Sequence, residues 1–203
     1  MPFIGNAPAR VPLTSADITD SIITSAKIVD GTIVNADINA SAAIASTKLS
    51  GSFGITEADQ WRLTADITAD VDPIASNLER VDNTGFGYLG TGMSVSSGTW
   101  TFPSTGIYLI RAIGDFTAQA GDNVLINIRV TVDNSSYTTV AFGGGGEDTS
   151  LASRVSCEFL FDVTSTANCK VRFSASSITA GSVIEGNTDI NETHFTFIRL
   201  GDT

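Results

Sequence analysis

Val124-Leu125-Ile126-Asn127-Ile128-Arg129-Val130-Thr131-Val132 is the stretch from which the fold follows. Val124, Ile126, Ile128, Val130 and Val132 alternate with Leu125, Asn127, Arg129 and Thr131. A period of two sets one row of β-branched side chains on one face, as in a half-buried strand. Asp133-Asn134-Ser135-Ser136 then supplies a turn, and residues 137–142 are expected to return antiparallel. Similar runs occur at 99–102, 106–116, 154–163, 168–176 and 193–200. Short strands at regular spacing, parted by Gly, Asp, Asn and Ser, indicate an all-β sandwich from Ile74 onward.

The 203-residue chain carries 22 acidic and 11 basic side chains, a net charge of −11 and a pI near 4.3. A 42% hydrophobic content with 8% aromatics excludes a disordered acidic tail. There is no basic stripe for nucleic acid and no apolar run long enough to span a bilayer. The opening Met-Pro-Phe-Ile-Gly-Asn lacks the basic flank and apolar stretch of a secretory signal, so synthesis in a reducing cytoplasm is expected. Cys157 and Cys169 fall in two alternating runs that read as the strands of one hairpin, with both sulfurs turned into a core. A loop centred near Ser165 and Thr166 does not set the two sulfurs opposite each other.

The first fifty residues are built differently, since Phe3 is the only aromatic before Phe53. Large aliphatics fall at Ile18, Ile23, Ile28, Ile33, Ile38, Ile44 and Leu49, five apart except for one step of six. A small residue or Thr lies two positions before each: Ala16, Ser21, Ala26, Gly31, Ala36, Ala42 and Thr47. On an α-helix a step of five scatters the isoleucines around the cylinder. On a strand it sends alternate ones to opposite faces. A chain that turns a corner every five residues satisfies it. Ala16-Asp17-Ile18 and Ala36-Asp37-Ile38 resemble the pentapeptide-repeat pattern, which implies a square-section right-handed β-helix. Repeat arrays need about three stacked units to cover their interior, so this arm is expected to wind with copies of itself or to dock on a larger surface.

The expected organisation is an extended tail over 1–15, containing Pro2, Pro8 and Pro12, followed by a pentad-repeat arm over 16–50. A junction over 51–72 comes next, and a trimerising domain over 73–203. In the junction, Thr56 followed by Glu57, Ala58, Asp59 and Gln60 reads as an N-cap and an acidic first turn, predicting a short helix with Trp61 as its anchor.

Gly98-Thr99-Trp100-Thr101-Phe102-Pro103-Ser104-Thr105-Gly106-Ile107-Tyr108 resembles the signature of the tumour-necrosis-factor-like jelly roll, in its complement globular-head branch. Trp100 stands where that branch has Phe. Residues 72–85, ending in Asn83-Thr84-Gly85, and the closing run 194–201 extend the resemblance across 73–201. It implies a homotrimer, with Trp100, Phe102, Tyr108, Phe195 and Phe197 at the core and trimer contacts. The collagen-like stalk of that branch is missing, and no calcium-ligand pattern transfers.

Little in the sequence carries chemistry. His194 is the only imidazole, and its apolar and Thr neighbours mark it as structural. Gly143, Gly146, Glu147 and Asp148 lack the lysine and the strand-to-helix context of a phosphate loop; they read as a mobile recognition loop. Asp70 and Asp72 lack EF-hand spacing. No catalytic, cofactor or metal residues are expected, and the chain reads as a non-enzyme. Residues 55–63 resemble segments of environmental phage structural proteins. The expected role is a phage capsid cement or decoration protein on the outer surface of the virion. Its arm, through the seven aliphatics from Ile18 to Leu49, would contact the major capsid protein and neighbouring trimers, and its acidic head would face outward. The alternative is a tail-fibre or tail-tip receptor-binding protein recognising host surface glycan or protein.

Overall fold

The computed structural model describes residues 14, 18–19, 21–39, 41–44, 48, 54–146, 153–179 and 181–203. The expected extended tail, apart from Thr14, and Leu49, Glu147 and Asp148 lie outside the described residues. The chain divides into two units, Met1–Ser50 and Gly51–Thr203.

The second unit is all strand among its described residues. Its elements are β1 (Ala58–Leu63), β2 (Leu78–Arg80), β3 (Ser94–Ser96), β4 (Thr99–Thr101), β5 (Gly106–Thr117), β6 (Asn123–Thr131), β7 (Thr138–Gly146), β8 (Ser153–Val163), β9 (Lys170–Ser176), β10 (Val183–Ile184) and β11 (His194–Gly201). They form two antiparallel sheets. In the first, β5 pairs with β8 on one edge and with β11 and β10 on the other, and β11 continues to β1 and β2. The second runs β3-β4-β9-β6-β7. β6 alternates as its sequence requires: Val124, Ile126, Ile128 and Val130 are buried between the sheets. It is followed by the expected antiparallel return in β7. In the turn between them, the Asp133 carboxylate accepts the Thr131 hydroxyl at 2.6 Å and the N–H groups of Ser136 and Ser135 at 2.7 and 2.8 Å. Those bonds, with the Thr131 hydroxyl first, hold its carboxyl well below the usual carboxylate range.

The core is aromatic and bridges the two sheets. Trp100 on β4 is fully buried and meets Trp61 of β1 edge-on at 5.1 Å and Phe197 of β11 at 5.1 Å. Phe173 of β9 stacks on Phe195 of β11 at 4.1 Å. Phe102 packs against Tyr108 at 4.8 Å, and the Tyr108 hydroxyl bonds to Ser104. Burial pushes that phenol up. Gly106 has φ +139°, and a Cβ there would collide with the carbonyl oxygen of Gly201.

Three expectations are corrected. The helix over 56–60 is instead the approach to a strand. Thr56 accepts a bond from Arg199 at 3.2 Å, and the Glu57 carboxylate accepts the N–H groups of Thr91 and Gly92 at 2.9 and 3.0 Å. β1 then pairs with β11 and β2, giving the backbone a ladder on both sides. This tertiary pairing overrides the local cap signal. The sheet domain therefore starts before residue 73, at Ala58. Finally, the cysteine-bearing strands are not a hairpin: β8 belongs to the first sheet and β9 to the second, with 164–169 crossing between them. Both cysteines are free and buried.

In the first unit, backbone bonds from Ile22 to Thr19, Lys27 to Thr24, Thr32 to Val29, Asp37 to Val34 and Ala42 to Asn39 close a turn at every fifth residue. Two turns contain a residue with positive φ, Ser21 at 65° and Gly31 at 77°, and they alternate with 3-10 turns at Ser25–Lys27 and Asn35–Asp37. The backbone bonds of this unit are local among the described residues, and no ladder joins one coil to another. The square-section β-helix therefore has no support in the backbone bonding of the described arm.

Trp100→Ala is expected to destabilise the sheet domain by about 3–5 kcal/mol, from lost transfer energy and the cavity left behind. Gly106→Ala should cost about 1 kcal/mol or more through backbone strain. Urea denaturation followed by tryptophan fluorescence for Gly106→Ala, and by circular dichroism for Trp100→Ala, measures both.

Candidate functional site

The five aromatics expected at the core and trimer contacts, Trp100, Phe102, Tyr108, Phe195 and Phe197, are at most 1% exposed within one chain. They serve the core and leave nothing for a partner to touch. The surface available to a partner is the other face of the same sheet.

Antiparallel sheets with one wet face alternate apolar inward and polar outward. The outward face of β5 breaks that rule, with Ile107, Leu109, Arg111, Ile113, Asp115 and Thr117. Strand pairing aligns its residues into rows. Ala58, Ile198, Leu109 and Leu160 form one continuous apolar row across β1, β11, β5 and β8. Gln60, Thr196, Arg111 and Glu158 form the next, with Gln60 donating to Thr196 at 2.9 Å. Arg62, His194, Ile113 and Ser156 form the third. Leu160 is 58% exposed. Arg62, by contrast, is buried under the turn after β2, where it bonds to Glu79 and Asn83, each at 2.6 Å, and to Asp82.

The outward face of the second sheet is mostly polar, with Leu125 and Phe142 as its apolar exceptions. Thr99, Thr101, Asn127, Arg129, Thr131, Lys170, Arg172, Ser174 and Ser176 occupy it. The two faces of one sandwich thus differ in chemistry: the first suits apolar cover, the second suits water.

The arm positions stand out too. Ile18, Ile23, Ile28, Ile33, Ile38 and Ile44 are each 41–55% exposed, so the arm does not bury its repeated aliphatics within one chain. The exposed aliphatics recur at the spacing of the turns.

The expected recognition loop is placed differently. Gly143 and Gly146 are in β7, opposite Ile126 and Asn123. These glycines thin the strand where it passes β8 and the core: a Cβ on the neighbouring Gly145 would lie 2.9 Å from Phe116 and 3.0 Å from Ser153. Asp70 and Asp72 do not come together as ligands. Asp70 accepts the Ile178 N–H at 2.8 Å, while Asp72 pairs with Arg129. No group of three or more His, Cys, Asp and Glu side chains suited to a metal occurs among the described residues.

Of the titratable groups, burial pushes the Cys157 thiol up to about 11. Burial also lowers the pKa of His194, opposed by the Glu192 carbonyl 3.3 Å from Nδ1 and reinforced by Arg154 and Arg111. The imidazole is therefore neutral at pH 7 and lies within the outward face of the first sheet.

With this geometry in hand, solved structures offer a comparison. Eiger TNF from S. frugiperda matches with a TM-score of 0.54 at 11% identity, over 74% of this chain and 95% of that one. Murine APRIL at pH 8.5 matches with a TM-score of 0.52 at 12% identity, over 71% and 98%. The fold is a TNF-like jelly roll. The globular domain of zebrafish complement 1qA protein aligns at a TM-score of 0.46 and 9% identity, over 70% and 94%. At these identities the likeness is one of fold. No protein-family model matches the chain, and no curated protein matches it.

Two measurements check the titratable groups. Stability should fall as pH drops through the ordinary imidazole value of about 6.5, because the unfolded chain then binds a proton that folded His194 resists. The slope is at most about 1.4 kcal/mol per pH unit, and it should vanish in His194→Gln when melts are compared between pH 8 and 5. Native protein should resist a thiol-labelling reagent at neutral pH, with both Cys157 and Cys169 reacting only after denaturation.

Proposed function

We propose that the protein is a homotrimeric structural component of a phage virion, a capsid cement whose arm fastens it to the shell and whose acidic jelly-roll head faces outward. The observation that carries this reading is the arm itself: turns close every fifth residue, and aliphatics stand exposed at the same spacing. An apolar surface of that regularity gains roughly 25 cal/mol per Å² when a neighbour covers it. Three linked arms convert three weak contacts into one tight attachment.

Trimer formation is supported by the apolar row of Ala58, Ile198, Leu109 and Leu160 on the outward face of the first sheet, which a second copy of the head would cover. The TNF-like fold is consistent with that arrangement and with a non-enzymatic role. The phage context rests on the resemblance of residues 55–63 to phage structural proteins. The net charge of −11 per chain suits a soluble head that avoids packaged nucleic acid. A tail-fibre or tail-tip receptor-binding protein is the second reading, favoured by a polar cleft on the second sheet.

Replacing Ile23, Ile28 and Ile33 with Asp is expected to abolish attachment to capsids while leaving soluble trimers, read by co-sedimentation with particles. Normal decoration by that variant would remove the arm as the attachment device. Leu109→Asp with Leu160→Asp should instead dissociate the heads while preserving their circular dichroism. Reconstruction of the particle separates the two readings: many copies across the shell support cement, and a few at the tail tip support the alternative.

A further inference from the structure

The polar face of the second sheet contains a built depression. Val71 and Ala175 exchange backbone bonds of 3.0 and 2.9 Å, which fixes the segment before Pro73 beside β9. Val71 packs on the core, so its neighbours Asp70 and Asp72 turn to the outer face. Between them and β7 lies a cleft of about 470 Å³, floored by Asn127, Arg129, Ser174 and Ser176 and edged by Thr139.

Its chemistry is specific. Arg129 pairs with Asp72 and donates to the Tyr137 carbonyl at 3.2 Å, which answers its charge, while its buried Nε has no acceptor among the described residues. Asn127 is only 9% exposed. Its Nδ2 donates to the Ser174 carbonyl at 3.3 Å and the Ser176 hydroxyl at 3.2 Å. A carbonyl partner fixes which way the amide points, and it leaves Oδ1 with no donor among the described residues. The second carboxylate oxygen of Asp70 is likewise without a donor there. Phe142 lies directly across the strand pair from Asn127, hence on the same face, with 65% of its surface exposed.

The cleft therefore presents unfilled acceptors, hydroxyls that both donate and accept and no net positive charge, and the exposed ring of Phe142 lies outside its lining on the same sheet face. A ligand that answers all four is neutral, rich in hydroxyl donors, and has an apolar C–H face. We propose that this cleft binds a neutral saccharide. Vicinal hydroxyls would donate to Asp70 and to Asn127 Oδ1, and the ring would lie towards Phe142. The site goes beyond the assembly role and does not depend on it, since arm and first-sheet face are uninvolved.

The test is titration calorimetry and saturation-transfer NMR on the full chain. The probes are maltohexaose, cellohexaose, chitotetraose and mannohexaose, with inorganic phosphate and a heparin hexasaccharide as anionic controls. At least one neutral probe should bind with a Kd of about 1 mM or tighter. Asp70→Asn keeps the acceptor that Ile178 uses, and Thr139→Trp fills the cleft from its exposed rim. Each should weaken binding about tenfold or more with an unchanged thermal melt. Failure of every neutral probe, binding confined to the anionic controls, or binding unaffected by both folded variants overturns the assignment. Capsid attachment is unchanged by these variants, so failure here is distinct from failure of the cement reading.

Discussion

Trp100 is the group on which the head depends. It sits on a three-residue strand, β4, with only two register pairs to β9, yet it touches Trp61 and Phe197 from the opposite sheet and Phe173 from its own. Three further pairs join β4 to β3, and the Trp100 side chain adds the contacts that tie this short strand to the opposite sheet. Offset and edge-on aromatic contacts each add about 0.5–1.5 kcal/mol beyond the area they bury. The same cluster draws β1 into the first sheet, because Trp61 must reach across to Trp100. The Trp61–Trp100 contact joins the two sheets across the core, while the ladders to β11 and β2 hold residues 58–63 as a strand.

Once the core is closed, each sheet has one face left, and the two faces differ. Asn, Ser, Thr, Arg and Lys cover most of the second sheet, apart from Leu125 and Phe142; Leu109, Ile113, Leu160 and Ile198 interrupt the polar cover of the first. The apolar row from Ala58 to Leu160 is the part of that face that another surface can cover with gain. Assembly and ligand recognition can thus occupy opposite sides of one sandwich without competing. In the arm, turns every five residues keep returning an isoleucine to the surface.

Much of this was legible in the residues. The period of two in β6 and the Asp133 turn are local, and the structure has both. The motif from Gly98 to Tyr108 gave the jelly roll because Gly106 and Tyr108 each meet a steric or burial demand particular to that corner. The run from Gly106 to Phe116 also held an unread signal: Ile107, Leu109 and Ile113 alternate with Tyr108, Ile110 and Ala112, so both faces are apolar. That pattern belongs to a strand covered on two sides. The misread parts share a cause. The cap signal at Thr56, the apparent cysteine hairpin and the glycine run at 143–146 were judged from neighbours in sequence, whereas each is decided by a partner far along the chain: Arg199 and β11, the change of sheet between β8 and β9, and the approach of β7 to Phe116 and β8. The cleft was invisible for the same reason, since Asp70, Asn127, Thr139 and Ser174 meet only through register.

If copies of the same chain cover the apolar row of the first sheet, the protein assembles through its heads. Native mass spectrometry of the full-length protein at micromolar concentration tests it most directly. The expected result is one dominant species of three times the 21.2 kDa chain mass. A dominant species of a single 21.2 kDa chain would contradict it.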